Sequence, residues 1–434
     1  MNKAIKIIQS SGVGSFLMIL IMHSGTSLAQ VQDTIRLLEC HSSAMETHPF
    51  NEQKNLYLQS KELNLKNQSV NWYPSLDLNG KYTWQSEVVQ IPFPESILSF
   101  DIPSMPHYNY KLTMDVQQTI YDGGMTRMGK ELEESRYEVN RQMVEVNLNQ
   151  LKEQVNNIFF FILTLQQQEK TVMLKLEELQ ERLSLMESGL NNAIVLASDL
   201  SVLKAESLKV SQQLAEIQVS RKSALSILEN LTSLDLSENT VLVLPSSEKY
   251  NSNEAKLPEH MLYELQIQNL DASIRLTGRQ RYPKAFVFGQ LGYGNPGLDF
   301  FRDEFRGYYI VGAGLQWNIW DWNRTSRTKQ DLAVQQGLVR IQKQAFDKNL
   351  SIRLEEQMAD IIKYQEAISR DKDILVLREE ITHTAASKLE NGVITPTEYI
   401  TELNAETEAR ILFELHRIHL EQARIRYLTS KGII

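Results

Sequence analysis

The 434-residue sequence contains one cysteine, Cys40, which rules out an internal disulfide framework and a multi-cysteine zinc site. Beyond residue 22 it has no run of about 18 consecutive apolar residues, so no transmembrane helix is predicted. If such a chain spans a membrane, it must do so with strands. Positive charge is not in excess either. The net charge of -9 argues against a nucleic-acid partner.

Motifs that carry chemistry are also missing. Gly123-Gly124 lacks the spacing of a phosphate loop, and no nucleophilic serine motif is evident. His416 and His419 stand three residues apart on one helix, but no carboxylate or histidine set of known spacing completes a ligand group. They read as a polar helix face. No catalytic residue, metal or cofactor is predicted, and the chain is not expected to be an enzyme.

The first 29 residues read as a secretory signal peptide. Lys3 and Lys6 give a positive start, 12–22 an apolar core, and Ser27-Leu28-Ala29 a small-residue cleavage site before Gln30. An uncleaved anchor or a buried helix is the alternative. Cys40 lies well past that site and follows Leu37-Leu38-Glu39, which does not fit a lipoprotein signal.

What the sequence does contain is an internal repeat. At an offset of 209, Pro49 falls on Pro258, Leu56 on Leu265, Tyr73-Pro74 on Tyr282-Pro283, and Gly80 on Gly289. At an offset of 199, Tyr110 pairs with Tyr309, Ile120 with Ile319, Tyr121 with Trp320, and Asp122 with Asp321. At 203, Gly189 pairs with Gly392. The order is the same in both halves, which chance does not readily produce.

The repeat divides the chain into a leader (1–29), a first unit (30–232), a connector (233–257) rich in Ser, Asn and Glu, and a second unit (258–434). Each unit is expected to open with a helix, over 34–68 in the first and 258–279 in the second. Strand pairs follow at 74–84 and 108–118, and at 283–293 and 308–319. Each unit then closes with a long helical hairpin, tipped near Gly189 or Gly392.

The strands show period two. Tyr108, Tyr110, Leu112, Met114 and Val116 face one way; Asn109, Lys111, Thr113, Asp115 and Gln117 face the other. The run at 75–84 alternates in the same manner. Each is about ten residues long, enough for a tilted strand to cross a bilayer. Trp84, Tyr108, Tyr293 and Tyr308 sit at strand ends, where an aromatic girdle is expected. A half-buried sheet in a soluble protein gives the same alternation. In the second unit Phe286, Phe288 and Ile310 fall on the face that should be polar. Four strands cannot close a barrel, since the smallest use about eight. Two, three or four copies would.

Proline is absent from about 65 residues between Gly123 and Gly189 and about 69 between Trp322 and Gly392, which at 1.5 Å per residue allows helices of up to roughly 100 Å. Ile374, Leu377, Ile381 and Leu389 recur near heptad spacing. Gly392 suits a left-handed C-terminal cap. Thr395-Pro396-Thr397-Glu398 then restarts a helix, with Thr395 as N-cap and Glu398 closing a capping box. Asp122 and Asp321 are each expected to cap the helix that follows.

These features resemble those of the TolC-type outer membrane factors over nearly the whole mature chain. The residues that carry the resemblance are Thr47-His48-Pro49, Tyr73-Pro74 and Ile120-Tyr121-Asp122-Gly123-Gly124. In the second half they are Leu257-Pro258-Glu259, Tyr282-Pro283 and Ile319-Trp320-Asp321. The resemblance implies a mainly helical fold with membrane β-strands: a duplicated strand pair plus helical hairpin. Four strands per protomer would enter a shared trimeric β-barrel, continued by a periplasmic α-helical barrel.

It further implies a homotrimer in the outer membrane, contacting lipid, with a periplasmic adaptor protein and an inner-membrane transporter as partners. The activity implied is passive export through a duct. Acidic residues past the second tip would line a periplasmic gate; Glu398 holds the first such position, and Thr401 the second with Glu402 beside it. Ile394 stands where an arginine is expected. Gly189, Leu190, Gly392 and Val393 mark adaptor-docking tips, although Asn191-Asn192-Ala193 departs from the usual pattern. The competing reading is a periplasmic adaptor, which would have one hairpin within a small β domain. An outer-membrane enzyme is a third.

Overall fold

A computed structural model describes residues 34–89, 105–191, 195–247, 257–300 and 302–434. The leader, residues 248–256 of the connector, and residues 192 and 193 at the first tip lie outside the described residues. In chain order the elements are β1 (Thr34–Ile35), α1 (Leu37–Thr47), α2 (Pro49–Val70), β2 (Ser75–Trp84), β3 (Tyr108–Tyr121), α3 (Met125–Asn191) and α4 (Ala197–Thr232). Then follow β4 (Val241–Leu242), α5 (Pro258–Arg279), β5 (Lys284–Asn295), β6 (Arg306–Gln316), α6 (Arg324–Glu390) and α7 (Pro396–Ser430).

The duplication extends to element lengths. The helices before the strands, α2 and α5, each have 22 residues and each begin at the aligned proline. The long helices α3 and α6 each have 67 residues, about 100 Å at 1.5 Å per residue. The return helices α4 and α7 have 36 and 35. No helix among the described residues is long and apolar enough to cross a membrane.

Four strands form one antiparallel sheet in the order β2-β3-β5-β6. The sheet's strand ends at Trp84 and Tyr108, and at Asn295 and Arg306, lie remote from the helices. Its two edges, on β2 and β6, have no partner strand within the described chain. The core lies lower, where α1, α3, α4 and α7 meet. Leu37 and Cys40 from α1, Val155, Phe159 and Ile162 from α3, Leu228 from α4 and Ile425 from α7 are almost fully enclosed there. Long helix α6 differs. Many of its apolar residues, among them Val334, Leu338, Ile341, Ile374, Leu377 and Ile381, are exposed.

Several expected boundaries are corrected. The opening helix of the first unit is two helices: residue 48, before a proline, is pushed into the extended region, so the helix breaks at His48 and restarts at Pro49. Residues 34 and 35 form a strand that pairs in parallel with Val241 and Leu242 of the connector. The connector is therefore bound to the core; Leu242 N–H donates to Gln166 Oε1 at 3.2 Å, and Ser247 N–H to Glu421 Oε2 at 3.0 Å. Strand β3 runs on to Tyr121, and β6 stops at Gln316. Gly189 does not end its helix, since α3 continues through it to Asn191.

Candidate conduction surface and hairpin tips

Cross-strand register assigns every side chain of the sheet to a face. One face carries Leu76, Leu78, Tyr82 and Trp84 from β2 opposite Val116, Met114, Tyr110 and Tyr108 from β3. It continues through Tyr293, Leu291 and Val287 of β5 to Tyr309, Val311 and Leu315 of β6. Nearly all of these apolar side chains are exposed, Val311 at 76% and Tyr309 at 73%. Exposed surface of this breadth marks contact with lipid or another chain.

The opposite face is polar at its centre. Asp115 is the hub of three strands: it accepts from Asn79 Nδ2 of β2 at 2.8 Å, Gln290 Nε2 of β5 at 2.6 Å, and its own strand's Thr113 Oγ1 at 3.0 Å. Phe286 and Phe288 lie on this face, and the structure supplies the reason. Phe286 pairs directly with Gly314 and Phe288 with Gly312. A Cβ built on Gly312 would stand 2.6 Å from Phe288 Cζ. Each ring therefore lies flat over the neighbouring strand, filling the space a glycine leaves.

The expected girdle is partly redrawn. Trp84, Tyr108 and Tyr293 lie on the apolar face near the loop end. They join Tyr82 and Tyr110, whose rings are 4.8 Å apart, and Phe305, which stacks 5.6 Å from Tyr293. Tyr308 points the other way: it pairs with Gly292 on the polar face, and Tyr309 takes the apolar position. At the helix end, Trp317, Trp320 and Trp322 form a second exposed aromatic group, with Trp320 and Trp322 edge to face at 5.9 Å. Their W-x-x-W-x-W spacing is visible in the sequence.

Below the sheet, both aspartates act as caps. Asp122 accepts from Gly124 N–H at 2.8 Å and Thr126 N–H at 2.7 Å, opening α3. Burial alone would raise its pKa; the Thr126 and Gly124 donors outweigh that and hold it below the ordinary value. Asp321 accepts from Thr325 N–H at 3.0 Å and from the Thr325 hydroxyl, opening α6.

At the second tip, Gly392 has a φ of 67° and sits just past the end of α6. Its N–H donates to Leu389 O and that of Val393 to Lys388 O, a Schellman closure. Val393 is 69% exposed. At the first tip Gly189 admits Val195, whose Cγ2 stands 2.8 Å from where a Cβ would be, and Leu190 is half-buried.

The three expected gate residues occupy the first two turns of α7 and are already engaged. Glu398 accepts from Thr395 N–H at 2.8 Å and the Thr395 hydroxyl at 3.0 Å, and these bonds depress its pKa. Thr401 donates its hydroxyl to Thr397 O at 2.9 Å. Glu402 accepts from Arg378 Nη1 of α6 at 3.2 Å. Glu398 and Thr401 are exposed.

Sequence reasoning missed the residue between them. Tyr399 is fully buried, and its hydroxyl donates to Glu178 Oε1 of α3 at 2.6 Å. Burial first, then Glu178, raise its pKa well above the ordinary tyrosine value. Arg182 lies over the ring at 5.8 Å and also pairs with Glu390 at the end of α6. A turn further from the tip, Lys175 of α3 binds Glu206 of α4 at 2.9 Å and also Asn404 of α7. Helix α3 of the first hairpin is thus fastened to both helices of the second, α6 and α7. Among the described residues no group of three or more His, Cys, Asp or Glu could hold a metal ion. His416 pairs with Asp371 instead, and both histidines contact Tyr364.

Comparison with known proteins agrees with this geometry. Residues 44–234 match the family model described as outer membrane efflux protein. No curated protein matches in sequence. Among solved structures, the outer membrane channel CmeC of Campylobacter jejuni superposes with a TM-score of 0.65 at 12% identity, covering 92% of this chain and 85% of that one. CusC gives 0.69 at 13%, covering 91% and 92%. The open state of the MtrE outer membrane channel of Neisseria gonorrhoeae gives 0.64 at 14%, covering 92% and 89%. The family model matches within the first repeat, and the fold shared with these outer membrane channels extends over both repeats.

Proposed function

We propose that three copies of this chain close one twelve-stranded barrel in the outer membrane and continue it as a helical tunnel through the periplasm, forming a passive export duct. The observation that carries this reading is the four-stranded sheet, with one broadly apolar face and two edges unpaired among the described residues, set at the end of two matched 67-residue helices. An open edge in lipid costs several kcal/mol per unsatisfied backbone group. Joining β6 of one copy to β2 of the next removes every such edge. The exposed apolar residues of α6 supply a second surface for neighbouring copies.

In this reading the polar face of the sheet lines the lumen, and the hairpin tips, with Gly189, Leu190, Gly392 and Val393, meet a periplasmic adaptor protein that links the duct to an inner-membrane transporter. Energy comes from that transporter, and the duct itself performs no chemistry. The periplasmic entrance is formed by the first turns of α7, where Glu398, Thr401 and Glu402 stand. Glu402 and Tyr399 tie this segment to α6 and α3, so widening the entrance requires these contacts to exchange.

Membrane fractionation and bilayer recording test the proposal. The expected result is an outer-membrane trimer that forms channels in planar bilayers. A soluble periplasmic monomer would overturn it. For the gate, Glu398→Gln is expected to change conductance or its pH response; an unchanged channel leaves Glu398 as a helix cap alone.

A further inference from the structure

The polar face of the sheet is not uniform along the strands. Register places Lys81 of β2 directly opposite Lys111 of β3, Lys111 opposite Gly294 of β5, and Gly294 opposite Arg306 of β6. Three cations thus form one transverse row across all four strands, close to the loop end. Gly294 leaves the row open: Lys111 Cγ stands 3.3 Å from where its Cβ would be, so the start of the lysine stem uses the space the glycine leaves. Arg306 pairs with Glu304 of the preceding loop at 3.3 Å, whereas Lys81 and Lys111 have no ion pair among the described residues.

Like charges directly opposite on adjacent strands are destabilising. The acids on the same face do not relieve this pair. Asp77 and Asp115 face each other four residues further toward the helices, about 13 Å away along the strands, beyond the roughly 8 Å screening length at physiological salt. Asp115 is moreover occupied by Asn79, Gln290 and Thr113. On β2 and β3 this face thus separates its charges, cations toward the loops and acids toward the helices.

We infer that this row is an anion-binding ring at the outer end of the lumen, which takes the phosphate or carboxylate groups of multiply anionic solutes. The inference rests on the duct reading, since closure by three copies turns a row of three cations into a ring of nine. Rings of Lys and Arg are a known basis of anion recognition in pores. Lysine suits a ring that must release its ligand, being a flexible, strongly hydrated point charge.

The test uses the full-length protein in planar bilayers with inorganic tripolyphosphate added from the loop side. Wild type is expected to be blocked, with the half-blocking concentration rising with salt. In Lys81→Gln/Lys111→Gln that concentration should rise roughly tenfold or more, the loss of at least one charged contact. Lys81→Arg/Lys111→Arg keeps the charge and should stay blocked, which separates lost binding from lost folding. Channels blocked equally in wild type and the Gln variant, or not blocked in wild type, overturn the ring and leave the duct standing. A protein that forms no channel overturns both.

Discussion

Tyr399 and Glu178 stand 221 residues apart in sequence, yet the tyrosine hydroxyl lies 2.6 Å from the glutamate Oε1. The bond joins the first turn of α7 to the lower part of α3, so it links the second hairpin to the first. Tyr399→Phe keeps the packing and removes only this donor. Bonds to charged groups contribute about 1.5–3 kcal/mol, and the partial exposure of Glu178 reduces that to about 1 kcal/mol here. Tyr399→Ala removes the ring as well and should cost about 3–5 kcal/mol. Denaturation of the purified protein separates the two, and equal losses would refute the assignment.

Acid should loosen the core through one histidine. His41 is buried, its Nε2 bonds Asn156 Oδ1 at 2.8 Å, and burial pulls its pKa down to about 4. Its folded value is below its unfolded value of 6.5, so its stability contribution is complete above pH 6.5 and is lost as pH falls toward 4. The loss should total about 3 kcal/mol. His41→Phe should flatten this part of the stability profile, measured by denaturation between pH 7 and pH 4.

The Asp122 cap makes a related prediction at lower pH. Asp122→Ala should cost about 1 kcal/mol at neutral pH. The folded pKa of Asp122 is depressed, so the wild-type advantage is present above 3.8 and vanishes as pH falls through the folded value. Wild type and variant should therefore converge in stability in strong acid.

The glycine–aromatic pairs on the polar face can be tested by exchange. Gly312→Val drives a side chain into the Phe288 ring and should lower the yield of assembled protein in the outer membrane. Adding Phe288→Ala should restore much of that yield, because the pair is coupled. Independent, additive losses would show that the ring does not use the glycine's space.

How far the sequence revealed this molecule depends on whether the determining contact is local. The alternation from Tyr108 to Val116 is a local signal and gave the strand and its faces. The capping box at Thr395 and Glu398 is spelled out within four residues and forms as expected. In the second unit the alternation is blurred, since Phe286 and Phe288 are placed by glycines 28 and 24 positions along, on another strand. Tyr308 was misplaced for a similar reason: two adjacent tyrosines compete for one face, and only the register with Gly292 and Leu291 decides between them. The break at His48 was hidden because apolar residues continue at helical spacing on both sides of Pro49. Nothing near Tyr399 announces Glu178.

The equality of α3 and α6 has a mechanical consequence. Both helices start just after a capping aspartate beside the sheet and run 67 residues, so one protomer measures the same distance twice. Removing seven residues from α3 alone would draw one tip back by about 10 Å and leave the other in place. A rim built from such tips would be stepped instead of level. The reach of the structure is therefore a paired dimension, and it can change only when both repeats change together.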